Sequence, residues 1–152
     1  MASRQRKNKQ VTHAFTVKWI WAWAIMHGHK TAEYRNSPPE VLKGRCAVHL
    51  SRTYDRDDFD ADREYVRTKW EDGEAIEREM PSYEKLSAYA GKIVGTVDFD
   101  ASDGVGTRWE LAKPKWLRRF IAVRGHLGLW ELPSDVAAEI KRQMSGDPEV
   151  MP

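Results

Sequence analysis

Ala14-Phe15-Thr16-Val17-Lys18-Trp19-Ile20 runs without a break into Trp21-Ala22-Trp23-Ala24-Ile25-Met26-His27, and Gly28 ends the run. The first seven residues are rich in β-branched and aromatic side chains, which predicts a strand. In the next seven the apolar side chains stop alternating, which predicts a short helix over 21–27, with Gly28 just past its end. A strand feeding an aromatic helix is the frame on which the remaining segments are placed. Lys30 to Arg35 reads as a short extended piece, broken by Asn36-Ser37-Pro38-Pro39. Gly44-Arg45-Cys46-Ala47-Val48-His49-Leu50-Ser51 is the clearest buried strand. Gly91 to Phe99 alternates as a further strand, and an Asp-, Ser- and Gly-rich loop over 100–106 comes after it.

Further elements are predicted over 107–111, 120–125 and 127–132, the last two as strands joined around Gly125-His126. A helix over 82–89 and a final helix over 135–144 complete the pattern, the latter with acid at its start and Lys141 and Arg142 near its end. Residues 55–80 are highly charged, with Phe59, Tyr65, Trp70 and Ile76 too sparse for a regular stripe. They predict a helical or irregular surface excursion. The sum is an α+β domain, a small mixed β-barrel with short flanking helices.

Composition narrows the function classes. No apolar run approaches the ~18–20 residues of a membrane span. The basic, polar start lacks the apolar core of a secretory signal. The single cysteine, Cys46, forms no internal disulfide and leaves no Cys-based zinc cluster. These features predict a cytoplasmic chain with no cofactor, no metal and no membrane partner. Residues 1–12 are predicted as a flexible basic arm carrying Arg4, Arg6, Lys7 and Lys9, residues 13–145 as the domain, and 146–152 as a frayed tail. Without the arm's four cations the chain is slightly acidic, so any nucleic-acid surface on the domain is local.

Five stretches together resemble the ASCH domain, a branch of the PUA-like superfamily. They are Trp21 to Ile25; Gly28-His29-Lys30-Thr31-Ala32-Glu33-Tyr34-Arg35; Gly44 to Ser51; Ile93-Val94-Gly95-Thr96-Val97; and Gly125-His126-Leu127-Gly128-Leu129-Trp130. The second matches a G-x-K-x-x-E-x-R signature. Order and approximate spacing agree from Val17 to Leu132. The resemblance implies a PUA-like barrel with a cleft beside its first helix that binds RNA or a modified nucleobase. Some relatives are similar to amidohydrolases of N4-acylated cytidine, and ribonuclease activity is attributed to others. The amidohydrolase-like members carry a threonine where this chain has Glu33, so the resemblance does not extend to that nucleophile. The excursion over 55–80 is long for the family and has the length to lid the cleft or recruit a protein partner.

Lys30, Glu33 and Arg35 are the candidate polar contacts, provided that Gly28 supplies the turn that brings them together; otherwise they form a surface ion-pair network. Arg35 suits a bidentate grip on phosphate and Lys30 a point charge. Glu33 suits the exocyclic amine of a base. As an enzyme, the chain would use Lys30 as base and Glu33 to position water. Trp21 and Trp23 cannot share a helix face, so one anchors the core and the other reaches the rim, where it can stack on a base. Trp130 reads as core. His49 and Ser51 share one face of their strand. Either both look into the cleft, or they form a hydrogen-bonded structural pair. Three readings are open: an RNA or modified-base binder, a hydrolase, and a protein-interaction module.

Overall fold

A computed structural model describes residues 10–102 and 107–145 of the chain. Residues 1–9, 103–106 and 146–152 lie outside the described residues, and with them most of the basic arm and all of the predicted tail. Six strands run in chain order as β1 (His13–Val17), β2 (Ala32–Tyr34), β3 (Lys43–Leu50), β4 (Lys92–Asp100), β5 (Arg108–Ala122) and β6 (Leu129–Glu131). Five helices accompany them among the described residues: α1 (Trp19–Met26), α2 (Arg56–Lys69), α3 (Gly73–Glu79), α4 (Tyr83–Ser87) and α5 (Ser134–Ser145). The strands form one mixed sheet in the order β2-β5-β4-β3-β1-β6. All pairs are antiparallel except β1 with β3.

The sheet curls into a half-barrel, and side-chain contacts show in which direction. β1 and β5 stand three strand spacings apart, about 14 Å in a flat sheet. Yet Phe15 of β1 and Trp109 of β5 meet edge to face with ring centroids 5.8 Å apart. That contact requires the sheet to close toward the face that carries them. The same face packs on α1, together with Cys46, Val48, Val97 and Phe99. The opposite face carries Ala14, Ala47, Ile93, Leu117 and Trp130 against Val136 and Ile140 of α5.

Every residue of α1 except Trp21 is buried. A helix that is apolar all round needs cover on all sides. The sheet supplies one side, and α2, α3 and α4 supply the other through Phe59, Val66, Ile76 and Leu86. The charged stretch over 55–80 is therefore two ordered helices whose few apolar residues complete the main core. Its sparse spacing hides this role, because each short helix contributes only one or two large apolar anchors. Trp19 Nε1 donates to Ser51 O at 2.7 Å, tying α1 to the end of β3, and Tyr83 Oη donates to Tyr54 O at 2.5 Å, tying α4 to the segment that leads into α2. At the α2–α3 junction, a Cβ on Gly73 would stand 2.1 Å from Val66 O, so only glycine allows the two helices to meet.

Three strand predictions need correction. The strand predicted over 14–20 stops at Val17, and the helix begins at Trp19. The segments 107–111 and 120–125 belong largely to one fifteen-residue strand, β5, which passes through Pro114. The proline is tolerated because it sits in a bulge: Lys115 pairs with Thr96 and Ala112 with Asp98, so β5 carries one extra residue there. Lys113 takes a positive φ of 55° at this point. Finally, β6 does not form a hairpin with the strand before it; it pairs with β1. The N-terminal boundary also moves, because Val11 is buried and Thr12 O accepts from Leu132 N.

Because Phe59 is 1 % exposed and Tyr65 is 53 % exposed on the same helix, their variants separate core from surface. Phe59→Ala is expected to cost about 3–5 kcal/mol in urea denaturation, whereas Tyr65→Ala stays within about 0.5 kcal/mol. Equal effects would contradict the assignment of the excursion to the core.

Candidate functional site

The three charged residues after α1 converge. Gly28 takes a φ of +79° and reverses the chain, while His29 N and Lys30 N both donate to Ala24 O. Lys30 Nζ then lies 3.3 Å from Glu33 Oε1, and Arg35 Nε donates to Glu33 Oε2 at 2.8 Å. Both carboxylate oxygens are thereby taken. Lys30 Nζ also donates to Ala32 O, and Arg35 Nη2 to Thr16 O at 3.1 Å. The Arg35 guanidinium stacks over Trp109 at 5.2 Å and Phe15 at 5.6 Å. It thus joins the end of β2 to β1, at opposite ends of the curl apart from β6. This cluster acts as a latch that closes the half-barrel. None of the three residues lines the cavity beside α1 or the one under α5. The hollow expected between them is filled by their own ion pairs.

Trp21 and Trp23 divide as their spacing requires. Trp23 is buried. Trp21 is half-buried, stacks on Trp70 with centroids 5.7 Å apart, and lies under Lys30 Nζ at 5.8 Å. One ring face of Trp21 is therefore already covered by the excursion.

His49 and Ser51 do not form a unit in a cleft. His49 is 1 % exposed on the α5 side of the sheet. Its Nε2 lies 2.8 Å from Val123 O, which can only accept, so Nε2 carries the proton. In the neutral ring Nδ1 then accepts from the Thr16 hydroxyl at 3.0 Å, and Thr16 Oγ1 accepts from Trp130 Nε1 at 3.0 Å. Every polar atom along this run of contacts is used once the imidazole is neutral. Burial lowers the His49 pKa, backbone contacts to Val123 and Gly91 partly offset it, and His126 adds to the lowering. Gly125 closes over the ring, since a Cβ there would stand 2.7 Å from both His49 Cε1 and Thr16 Oγ1. Ser51 Oγ donates to Thr53 O instead. Each of the two residues is structural, held by satisfied hydrogen bonds of its own.

The cleft beside the first helix lies elsewhere on α1. A cavity of about 280 Å3 sits at the seam between α1, the end of the excursion and strands β4 and β5. Four aromatic side chains line it: Trp23, Tyr89, Trp116 and Phe120. Trp116 and Phe120 stack at 5.9 Å with an interplanar angle of 24°, and Tyr89 meets Phe120 edge to face. His27 and Glu79 bring titratable groups to its wall. Glu79 Oε1 also lies 3.4 Å from His29 Nε2. Burial, then the neighbouring His29, lower the His27 pKa, and Glu79 partly restores it. The volume falls just below the usual range for ligand pockets, roughly 300–1,000 Å3, and suits one planar ring system. Of the residues singled out in the sequence for binding, only Trp23 is on this wall. Trp116 and Phe120 were not legible as part of this wall, because the side of the sheet that they face depends on the bulge at Lys113-Pro114.

No family model matches the chain, and no curated protein matches it. Among the described residues, no three His, Cys, Asp or Glu side chains are grouped to hold a metal, and no helix is long and apolar enough to cross a membrane.

Two measurements test these assignments. Glu33→Gln leaves Lys30 and Arg35 adjacent without a counter-charge and is expected to destabilise the fold by roughly 1–3 kcal/mol; an unchanged unfolding free energy would remove the latch. The lowered pKa of His49 and of His27 means that folded protein binds protons less readily than unfolded chain. Stability is then full above the ordinary value of 6.5 and declines as pH falls through it toward the folded-state values. Denaturation midpoints between neutral and mildly acidic pH should fall in that direction, with a shallower decline in His49→Gln.

Proposed function

We propose that this chain is an ASCH-type, PUA-like domain that binds a planar nucleobase, free or within RNA, in the aromatic cavity beside α1. The observation that carries the reading is the meeting of Trp23, Tyr89, Trp116 and Phe120 around one base-sized space with His27 and Glu79 on the same wall. Aromatic walls stack on any base, because every base has a π-face. A glutamate accepts from an exocyclic amine, and a neutral imidazole both donates and accepts, so the polar pair can read the edge of a ring. The order of the five motif stretches and the half-barrel sheet agree with this family reading. The Lys30, Glu33 and Arg35 cluster then serves the fold, and the binding chemistry lies farther along the seam of α1.

The hydrolase reading gains no support from the geometry. Both Glu33 oxygens carry a cation, and Lys30 Nζ is held by two acceptors, so neither group is poised to activate water.

Titration of the full chain with free nucleosides, with and without base modification and followed by tryptophan fluorescence, tests the proposal. Saturable quenching is expected, and Trp116→Ala should weaken binding by about 1–3 kcal/mol, roughly fivefold to 150-fold. Absence of saturable binding by every nucleoside, or equal affinity in Trp116→Ala, would refute it.

A further inference from the structure

A second cavity, about 950 Å3, opens on the opposite face of the sheet, between β3, β4, β5 and α5. Its charge is one-sided. Arg45 and Asp98 stand in it 2.9 Å apart and neutralise each other. Arg45 is further spent on Thr96 Oγ1, Thr96 O and Lys113 O, which leaves its guanidinium no free fork for a ligand. Lys113 and Lys115 of β5 and Lys141 of α5 remain, all exposed, among its lining residues. None of the three has an ion-pair partner among the described residues. No aromatic side chain lines this cavity, so it offers nothing for a base to stack on. Gln10 is on its wall, and the sequence immediately before Gln10 carries Arg4, Arg6, Lys7 and Lys9.

We infer that this cavity is a phosphate-binding site for the backbone of a single-stranded nucleic acid. Lysine ammonium groups bind phosphate as point charges, and exposed lysines without carboxylate partners suit a backbone of regularly spaced anions. The one arginine here is fully engaged, so the chemistry on offer is lysine chemistry. The size exceeds that of the aromatic cavity more than threefold, which fits an extended chain and not a single ring. Strand β5 borders both spaces: Trp116 faces the aromatic cavity, and the adjacent Lys115 faces this one. The inference stands on the lysines alone and does not depend on base binding at Trp116.

The test uses the full chain and two labelled probes, a short oligouridylate and an abasic oligomer of the same length, each titrated at several salt concentrations. Both probes are expected to bind more weakly as salt rises. The triple variant Lys113→Gln, Lys115→Gln, Lys141→Gln should bind each roughly tenfold more weakly, with a log–log salt slope smaller by about 2. Lys141→Glu, a single change on the exposed side of α5, should move affinity in the same direction should the triple variant fail to fold. Unchanged affinity and slope in a folded triple variant would overturn the site. So would displacement of the abasic oligomer by polyglutamate at equal charge, which would point to an acidic protein segment. The abasic probe keeps the two readings apart, because failure of base binding at Trp116 leaves its affinity untouched.

Discussion

Burial of α1 is the constraint on which the rest of the molecule depends. Seven of its eight residues are buried apolar side chains. A sheet covers one side of a helix, so a second layer is needed. The chain supplies it from a stretch that is otherwise almost wholly charged. Phe59, Val66 and Ile76 lie on α2 and α3, and burying each such side chain contributes roughly 1.5–3 kcal/mol. The charged residues around them stay on the outer surface in pairs such as Arg63 with Glu77 and Arg67 with Glu64. The aromatic cavity lies along the seam where this second layer, α1 and the sheet come together.

Curling of the sheet rests on a different kind of contact. Arg35 places a cation over two aromatic rings from separate strands and hands its polar edge to Glu33 and to a β1 carbonyl. On the other face, the Trp130–Thr16–His49–Val123 run of hydrogen bonds joins β6, β1 and β3 to the segment after β5. One face is closed by a charge set, the other by neutral donors and acceptors. The buried thiol of Cys46, on β3 between β1 and β4, is pushed far up in pKa by desolvation, which makes it unreactive in the folded chain.

Much of this was legible from local pattern. The aromatic helix, the strand over Gly44–Ser51, the alternation in Ile93–Phe99 and the final helix follow from period and caps. The convergence of Lys30, Glu33 and Arg35 also follows, from alternation in an extended segment after a glycine turn. What their spacing does not reveal is that the three charges satisfy one another and leave no opening. Nor does it reveal the partner of β6, because a Gly-rich link between two strand-like segments reads as a hairpin while the actual pairing reaches far back along the chain to β1. Pro114 hid the continuity of β5, since a proline reads as a break unless the neighbouring strand shows that a bulge absorbs it. The sparse apolar residues of the excursion carried too little periodicity to announce a core role.

The extra residue at Lys113-Pro114 has a consequence for how this chain can change in length. Along a strand, odd and even positions look to opposite sides. The bulge resets that count, which is why Trp116 and Phe120 reach the α1 side while Lys115 and Leu117 reach the α5 side. Deleting one residue there would leave a regular ladder, with Ala112 and Lys115 still opposite Asp98 and Thr96 and both sets in place. Deleting two would exchange the sets, bringing lysine to the aromatic space and tryptophan to the cationic one. The architecture can therefore absorb the loss of the single extra residue, whereas a second loss would turn the strand over.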